Sequence, residues 1–248
     1  LSIVSNLQDE YSNIQIVTQS NRGLAAARNT GINFSDSPLI CFLDVDDYWL
    51  PKKIENQLKV YELYGGYETL AVASNYFDEI NSQIFPGILN SHERVITPSN
   101  LLTYRCVIPG SGSSALIPRK ILDKVGTFDE ELSYGEDLDL WIRIACEFRW
   151  LISPERDVVN RSNPRGMQAQ KVMPTSKFER DYLKILYRYR QKISQSEFLM
   201  IKSYIRSISI RGKRRLEHPR FINMIYLTLG ILYSLRIRID RSLAKLCT

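Results

Sequence analysis

Apolar and polar positions along the chain fall into two rhythms. NIQIVTQ (13–19) alternates with a period of two, the mark of a half-buried strand. SNRGLAAARNTGINF then changes to a helical period. Leu24, Ala27, Gly31 and Phe34 share a face, and Ser20 or Asn21 stands where an N-cap is needed. LICFLD (39–44) is a short apolar run that predicts a buried strand. PKKIENQLKVYELYG (51–65) is helical again: Pro51 suits a first turn, Ile54, Leu58 and Tyr61 form one face, and Gly65 stops it. TLAVASNYF (69–77) is a further buried strand. Strand, helix, strand, helix, strand predicts an α/β protein with a mostly parallel sheet flanked by helices.

Residues 78–110 read as irregular, with a short helix after Pro98. GSSALIPRKILDKVG (112–126) predicts a strand turning into a helix. SYGEDLDLWIRIACEF (133–148) predicts a helix with Leu138, Trp141, Ile142 and Ala145 on one face, and RWLIS and DVVNR two short strands after it. From about residue 174 the pattern is helical only. Phe178, Tyr182, Ile185 and Tyr189 make one apolar face; Phe198, Ile201, Ile205 and Ile208 make another. FINMIYLTLGILYSL (221–235) is strongly apolar and flanked by Arg220, Arg236 and Arg238.

Charge divides the chain at the same place. Residues 1–170 hold 15 Lys+Arg and 22 Asp+Glu, a balance of −7, and residues 171–248 hold 18 and 5, a balance of +13, which together give the net +6. An acidic body of 1–170 and a basic helical extension of 171–248 are two functional regions. The 44% hydrophobic and 24% charged content is that of an ordinary globular protein. No segment reaches the ~20 apolar residues that cross a bilayer. Cys41, Cys106, Cys146 and Cys247 include no C-x-x-C pair, which argues against a zinc site or disulfide framework and for reduced thiols in a cytoplasmic protein.

Two constellations carry chemistry. Asp44 stands at the end of the expected strand 39–44 and Asp46 and Asp47 in the loop after it, where a parallel α/β sheet binds its ligands. Carboxylates this close repel, and a hard divalent cation shared with substrate phosphates would remove the repulsion. The plain alternative is a solvated acidic loop in which Asp47 starts the next helix. In YGEDLDLW (134–141), Ser133 and Glu136 have capping-box spacing, which explains Glu136 without chemistry. Asp137, one position further in and one turn before Trp141, is left over as a candidate general base. For Trp49 and Trp141 core packing is the simplest reading. The small-residue run GSGSS, with Ser111 and Ser113, suits close approach of a sugar or an ordinary loop.

NRGLAAARNTGI, FLDVDDYWLPKKIENQL, GSSALIPRKILDKVGTFDEEL and GEDLDLWIRIA occur in this order, and together they resemble family 2 glycosyltransferases of the GT-A, Rossmann-like fold over roughly residues 14–165. The resemblance implies inverting transfer of a sugar from a nucleotide diphosphate, a UDP-sugar first among donors, to a glycan or lipid-linked acceptor. It implies that Asp46 binds Mn²⁺ or Mg²⁺, that Asp44 contacts the ribose or the metal shell with Asp47 as a third member, and that Arg28 faces the donor. It implies that Asp137 is the catalytic base, with Glu136 and Trp141 as acceptor-site candidates.

The chain departs from the family pattern in two places. The family opens with a strand, a helix and a second strand ahead of the point where this chain starts at Leu1, so the expectation is a domain without that unit. At NRSNPRGMQ (160–168), where relatives carry a histidine, Asn163 stands, with Arg161 and Arg165 beside it. His92 and His218 lie in segments with no matching motif. The basic extension suits either packing on the body or a peripheral place on the inner membrane face, its cations meeting anionic lipid. No nucleic-acid-binding fold is recognisable in it. A sugar-nucleotide nucleotidyltransferase, which calls for a Gly-rich phosphate loop, and a non-catalytic scaffold are the competing readings.

Overall fold

The computed structural model describes residues 2–64, 70–78, 96–103, 108, 111–160 and 175–213. Five strands form one sheet in the order β1-β4-β3-β5-β2: β1 (Leu39–Cys41), β2 (Asp47–Trp49), β3 (Leu70–Asp78), β4 (Ala115–Pro118) and β5 (Arg149–Asn160). The α/β class holds, but the sheet is mixed instead of mostly parallel. Among the described strands only β3 and β5 pair in parallel; the β1–β4, β4–β3 and β5–β2 pairs are antiparallel. The chain enters β4 at the carboxyl end of β1, where Leu116 faces Cys41, and so runs back towards Pro118 opposite Leu39.

RWLIS and the described part of DVVNR, residues 157–160, belong to one strand. Along β3 and β5 the register jumps from Ser74↔Ser153 to Asn75↔Arg156, a bulge at the Pro154 that interrupts the apolar pattern. The half of β5 beyond the bulge also pairs with β2. Residues 14–20 lie in no helix or strand. Their alternation is real, since Ile14 and Ile16 are half-buried between exposed neighbours. They pair with none of the described strands, and alternation without a ladder leaves the backbone irregular.

The strands alternate cleanly between two apolar layers. Leu70, Val72, Leu116 and Leu151 face α3 (Lys53–Tyr64), which covers them with Val60 and Tyr61. Tyr61 donates its hydroxyl to Leu116 O at 2.8 Å, and Gln57 Nε2 donates to Val72 O and Ser114 O, so α3 is also hydrogen-bonded to the sheet. Ala71, Ala73, Ile117, Trp150 and Ile152 face the opposite layer. That layer is built from α2 (Leu24–Phe34), α4 (Pro98–Leu102), α6 (Arg119–Val125), α7 (Glu136–Glu147), α8 (Thr175–Arg188) and α9 (Gln195–Lys213). α1 (Ser2–Glu10), the turn α5 (Ser111–Ser114) and a 3₁₀ turn (Arg190–Lys192) complete the described helices.

The described part of the basic extension packs on the body. Phe178, Ile185, Leu186, Tyr189, Phe198, Ile201 and Ile205 join the same apolar cluster as Leu140, Ile144 and Trp150. Each such side chain removed from water contributes about 1.5–3 kcal/mol. The apolar stretch 221–235 lies outside the described residues. Among those described, no helix is long and apolar enough to cross a membrane.

Candidate active site

The carboxylate loop follows β1. The Asp47 amide donates to Asp44 O at 3.0 Å, closing a tight turn over Asp44–Asp47. The Asp44 amide donates to Ser113 Oγ at 3.1 Å, and Trp49 Nε1 donates to Ser113 O at 2.8 Å, so α5 holds the loop on both sides of the turn. Asp47 does not wait in a loop for the next helix. It begins β2, because the strand-formers Tyr48 and Trp49 lie against Val159 and Val158 of β5. Trp49 stacks on the buried Lys53, whose Nζ is 4.0 Å from the ring centroid and 3.8 Å from Cys41 Sγ. Burial pushes the Lys53 ammonium down and the Cys41 thiol up from their ordinary pKa values.

Arg28 projects from α2 into the centre of the site, its side chain 6% exposed. Nη2 donates to Asp44 Oδ1 at 2.9 Å and Nη1 to Glu136 Oε1 at 3.1 Å. The guanidinium lies 5.3 Å from the Phe128 ring and 5.9 Å from the Phe42 ring. Gly112 faces it so closely that a Cβ there would stand 3.0 Å from Nη2. A buried cation costs several kcal/mol to desolvate, and two carboxylates with two aromatic faces offset that cost. Nε alone has no acceptor. α2 itself starts differently from its sequence expectation: Gly23, at φ 93°, occupies the N-cap, and Asn21 Oδ1 accepts the Gly23 amide instead of capping the helix.

Glu136 and Asp137 open α7. No capping box forms. The N-cap is Gly135, in the left-handed region at φ 74°, so Glu136 is the first helical residue and its carboxylate turns to Arg28. The Ser133 amide goes to Asp181 of α8. Burial raises the Glu136 carboxyl to about 7, the neighbouring Asp137 and Asp44 adding to the rise while Arg28 opposes it. Burial thus outweighs the ion pair. Asp137 is half-buried and accepts the Leu138 amide at 2.7 Å. Trp141 is 3% exposed and stands edge-on to Trp150 and Phe128, inside the core and away from any open face.

The three aspartates do not converge. Asp44 is committed to Arg28, Asp47 to β2, and Asp46 is half-buried beside the fully exposed Val45. Among the described residues no three metal-ligating side chains come together. One carboxylate with a substrate's phosphate oxygens is nonetheless a common way to hold a hard divalent cation, so Asp46 fits Mn²⁺ or Mg²⁺ arriving with a diphosphate. Arg161, Asn163, Arg165, His92, His218 and the Ser111 side chain lie outside the described residues. Sequence reasoning missed the Phe42–Phe128 enclosure of Arg28 and the part played by Asp181. Neither has a local motif, because each is made by residues far apart in the chain.

This is an α/β fold with a carboxylate loop and an acidic helix start joined by one buried arginine. The chain belongs to the glycosyltransferase 2 family: a family model described as "Glycosyltransferase like family 2" matches residues 1–204. An uncharacterised glycosyltransferase of Methanocaldococcus jannaschii is 32% identical over 146 residues, 57% of this chain and 48% of the relative. The UDP-Glc:alpha-D-GlcNAc-diphosphoundecaprenol beta-1,3-glucosyltransferase WfgD of Escherichia coli is 27% identical over 54% of this chain and 50% of its own length. Among solved structures, TarS of S. aureus in complex with UDP-GlcNAc superposes with a TM-score of 0.59 at 11% identity, over 92% of this chain and 66% of that one. The mannosyltransferase PcManGT of Pyrobaculum calidifontis, with GDP-Man and Mn²⁺, superposes with a TM-score of 0.56 at 15% identity, over 99% and 73%. The fold is therefore that of the GT-A enzymes. The chain spans 18% to 57% of the length of the first curated relatives it matches.

Proposed function

We propose that the chain carries the catalytic site of an inverting glycosyltransferase that moves a sugar from a nucleotide diphosphate to an acceptor hydroxyl. The observation that carries the reading is Arg28, which joins Asp44 of the carboxylate loop to Glu136 of the acidic helix start. A donor half and an acceptor half of one reaction need such a fixed spacing, since in-line displacement tolerates little misalignment. Asp44 and Arg28 face the nucleotide end of the donor, and Asp47 fixes the loop through β2. Asp137 takes the proton of the acceptor hydroxyl as that oxygen bonds to the anomeric carbon. The bond from this carbon to the diphosphate oxygen breaks, and the diphosphate leaves with the electron pair. Mn²⁺ or Mg²⁺ at Asp46 would supply Lewis-acid neutralisation of the leaving charge. Glu136 lines the acceptor side, next to Asp137.

The names of relatives support a UDP-sugar donor and a cell-surface glycan or lipid-linked acceptor. WfgD is named for UDP-Glc and a diphosphoundecaprenol acceptor, and a further relative, ExoU of Rhizobium meliloti, for succinoglycan biosynthesis. Such acceptors suit an enzyme that works in the cytoplasm at the inner face of the membrane, with its basic C-terminal region towards the lipid.

The test is calorimetric titration of UDP, and then GDP, into the chain with and without Mn²⁺, on the wild type and Asp46→Asn. Manganese-dependent binding that vanishes in Asp46→Asn supports the reading. Binding that ignores both manganese and Asp46 overturns the metal assignment, and absence of binding to either nucleotide overturns the donor site.

A further inference from the structure

We infer that Asp181 of α8 is a positioning residue for the acidic helix start, an inference that rests on the proposed role of Asp137. Its side chain is completely buried. One oxygen, Oδ2, accepts two successive backbone amides, Ser133 at 2.9 Å and Tyr134 at 3.2 Å. These two residues lead directly into Gly135 and then Glu136 and Asp137. The other oxygen accepts Arg180 Nε at 2.7 Å. A carboxylate receiving consecutive amides fixes the orientation of both peptide planes, and charge-assisted bonds of this kind are about twice as strong as neutral ones.

The same helix gauges the next residue. A Cβ on Gly135 would come within 2.9 Å of Ile185 Cδ1 and 3.4 Å of the Tyr182 ring. Gly135 adopts φ 74°, ψ 20°, so the peptide turns sharply here and Asp137 leaves the turn in a direction set by Ser133 and Tyr134. A second tie lies one turn along α7. Asp139 is buried and accepts Arg188 Nη1 at 2.5 Å and the Tyr189 hydroxyl at 3.0 Å. α8 thus grips α7 on both sides of Asp137 while contributing no group to the reacting atoms. No local pattern in the sequence shows this tie, because the partners are 47 and 48 residues apart.

The experiment uses Asp181→Ala, Asp181→Asn and the control Arg180→Ala. Donor turnover is followed as release of UDP from UDP-glucose or UDP-GlcNAc, or of GDP from GDP-mannose, using whichever the wild type consumes fastest. The expected result is a fall in kcat of about 10- to 100-fold for Asp181→Ala, the scale of an ångström-sized misplacement, with donor KM and UDP affinity unchanged. Asp181→Asn, which keeps a carbonyl oxygen for the two amides, recovers most of kcat. Arg180→Ala leaves kcat alone. Wild-type kcat in Asp181→Ala overturns the inference. So does an equal loss of UDP affinity, which means general damage, or a failure of Asp181→Asn to recover activity when it melts like the wild type. If Asp137→Asn itself retains full turnover, the proposed base fails instead, and the two failures are told apart.

Discussion

Arg28 and Glu136, 108 residues apart in the chain, meet through a buried 3.1 Å hydrogen bond between Nη1 and Oε1. The same guanidinium holds Asp44 at 2.9 Å. Removing it by Arg28→Ala leaves two carboxylates without their cation in a largely dry site, and the expected cost is about 3–5 kcal/mol in urea or guanidinium unfolding. Arg28→Lys keeps the charge but not the fork that spans two carboxylates, so its stability falls between the two. Equal stability of Arg28→Ala and wild type would show the bridge to be inert.

Glu136 gives a pH signature. Burial pushes its carboxyl in the folded chain up to about 7, above the ordinary 4.5 of a free glutamate. The folded chain therefore binds this proton more tightly than the unfolded chain does. The contribution to stability is complete below about 4.5 and is lost as pH rises through about 7. Glu136→Gln should flatten that segment of the stability-versus-pH curve. The check is a set of melts from pH 4.5 to 8 on both proteins, in which parallel curves would contradict the assignment.

Gly112 is a packing test of the same arginine. A methyl at this position meets Nη2 at 3.0 Å and Cζ at 3.1 Å, and the guanidinium is pinned by its two carboxylates. Gly112→Ala should destabilise the fold by about 1–3 kcal/mol through overpacking. It should also weaken UDP binding if Arg28 serves the donor. Unchanged melting and unchanged UDP affinity would mean that the guanidinium moves aside at little cost.

Asp137→Asn separates binding from chemistry. The expected outcome is UDP affinity within a few-fold of wild type and a loss of sugar transfer of about 10²- to 10⁴-fold, the usual worth of a general base. Loss of UDP affinity in proportion to activity would assign Asp137 to the donor side.

The helices and buried strands were readable because each carries its own period. The expected α7 face turns inward, with Trp141 and Ile142 buried and Leu138 and Ala145 half-buried, and so do Leu58 and Tyr61 of α3, while Ile54 is exposed; in α2 the expected face of Leu24, Ala27, Gly31 and Phe34 is exposed, and Ala25, Ala26 and Ile32 are buried instead. β2 was not readable, since three residues with one aspartate have no period, and only Val158 and Val159 opposite make them a strand. The direction of β4 was hidden for a similar reason: it depends on which end of β1 the chain meets. At the site, the motifs found Arg28, Asp44 and Glu136 but not the contacts that join them. Glu136 looked like a capping residue because Ser133 stands three before it, yet the αL conformation of Gly135 delays the helix and frees Glu136 for Arg28. The sequence sets Asp44 beside Asp46 and Asp47 but does not show that Arg28, 16 residues before it, bonds to its carboxylate.

The gripping of α7 by α8 has a consequence for exchanging segments between relatives. A natural or laboratory recombinant joined near residue 170 would inherit its sheet from one parent and Asp181, Arg188 and Tyr189 from the other. Asp139, fully enclosed and met by both Arg143 and Arg188, would keep its second cation only if the donor parent supplied one at the matching turn. The heritable unit therefore extends past the sheet and into α9, in keeping with a family match that runs to residue 204. Chimeras cut beyond that point should tolerate divergent tails, whereas those cut before α8 should need their arginines transplanted as a set.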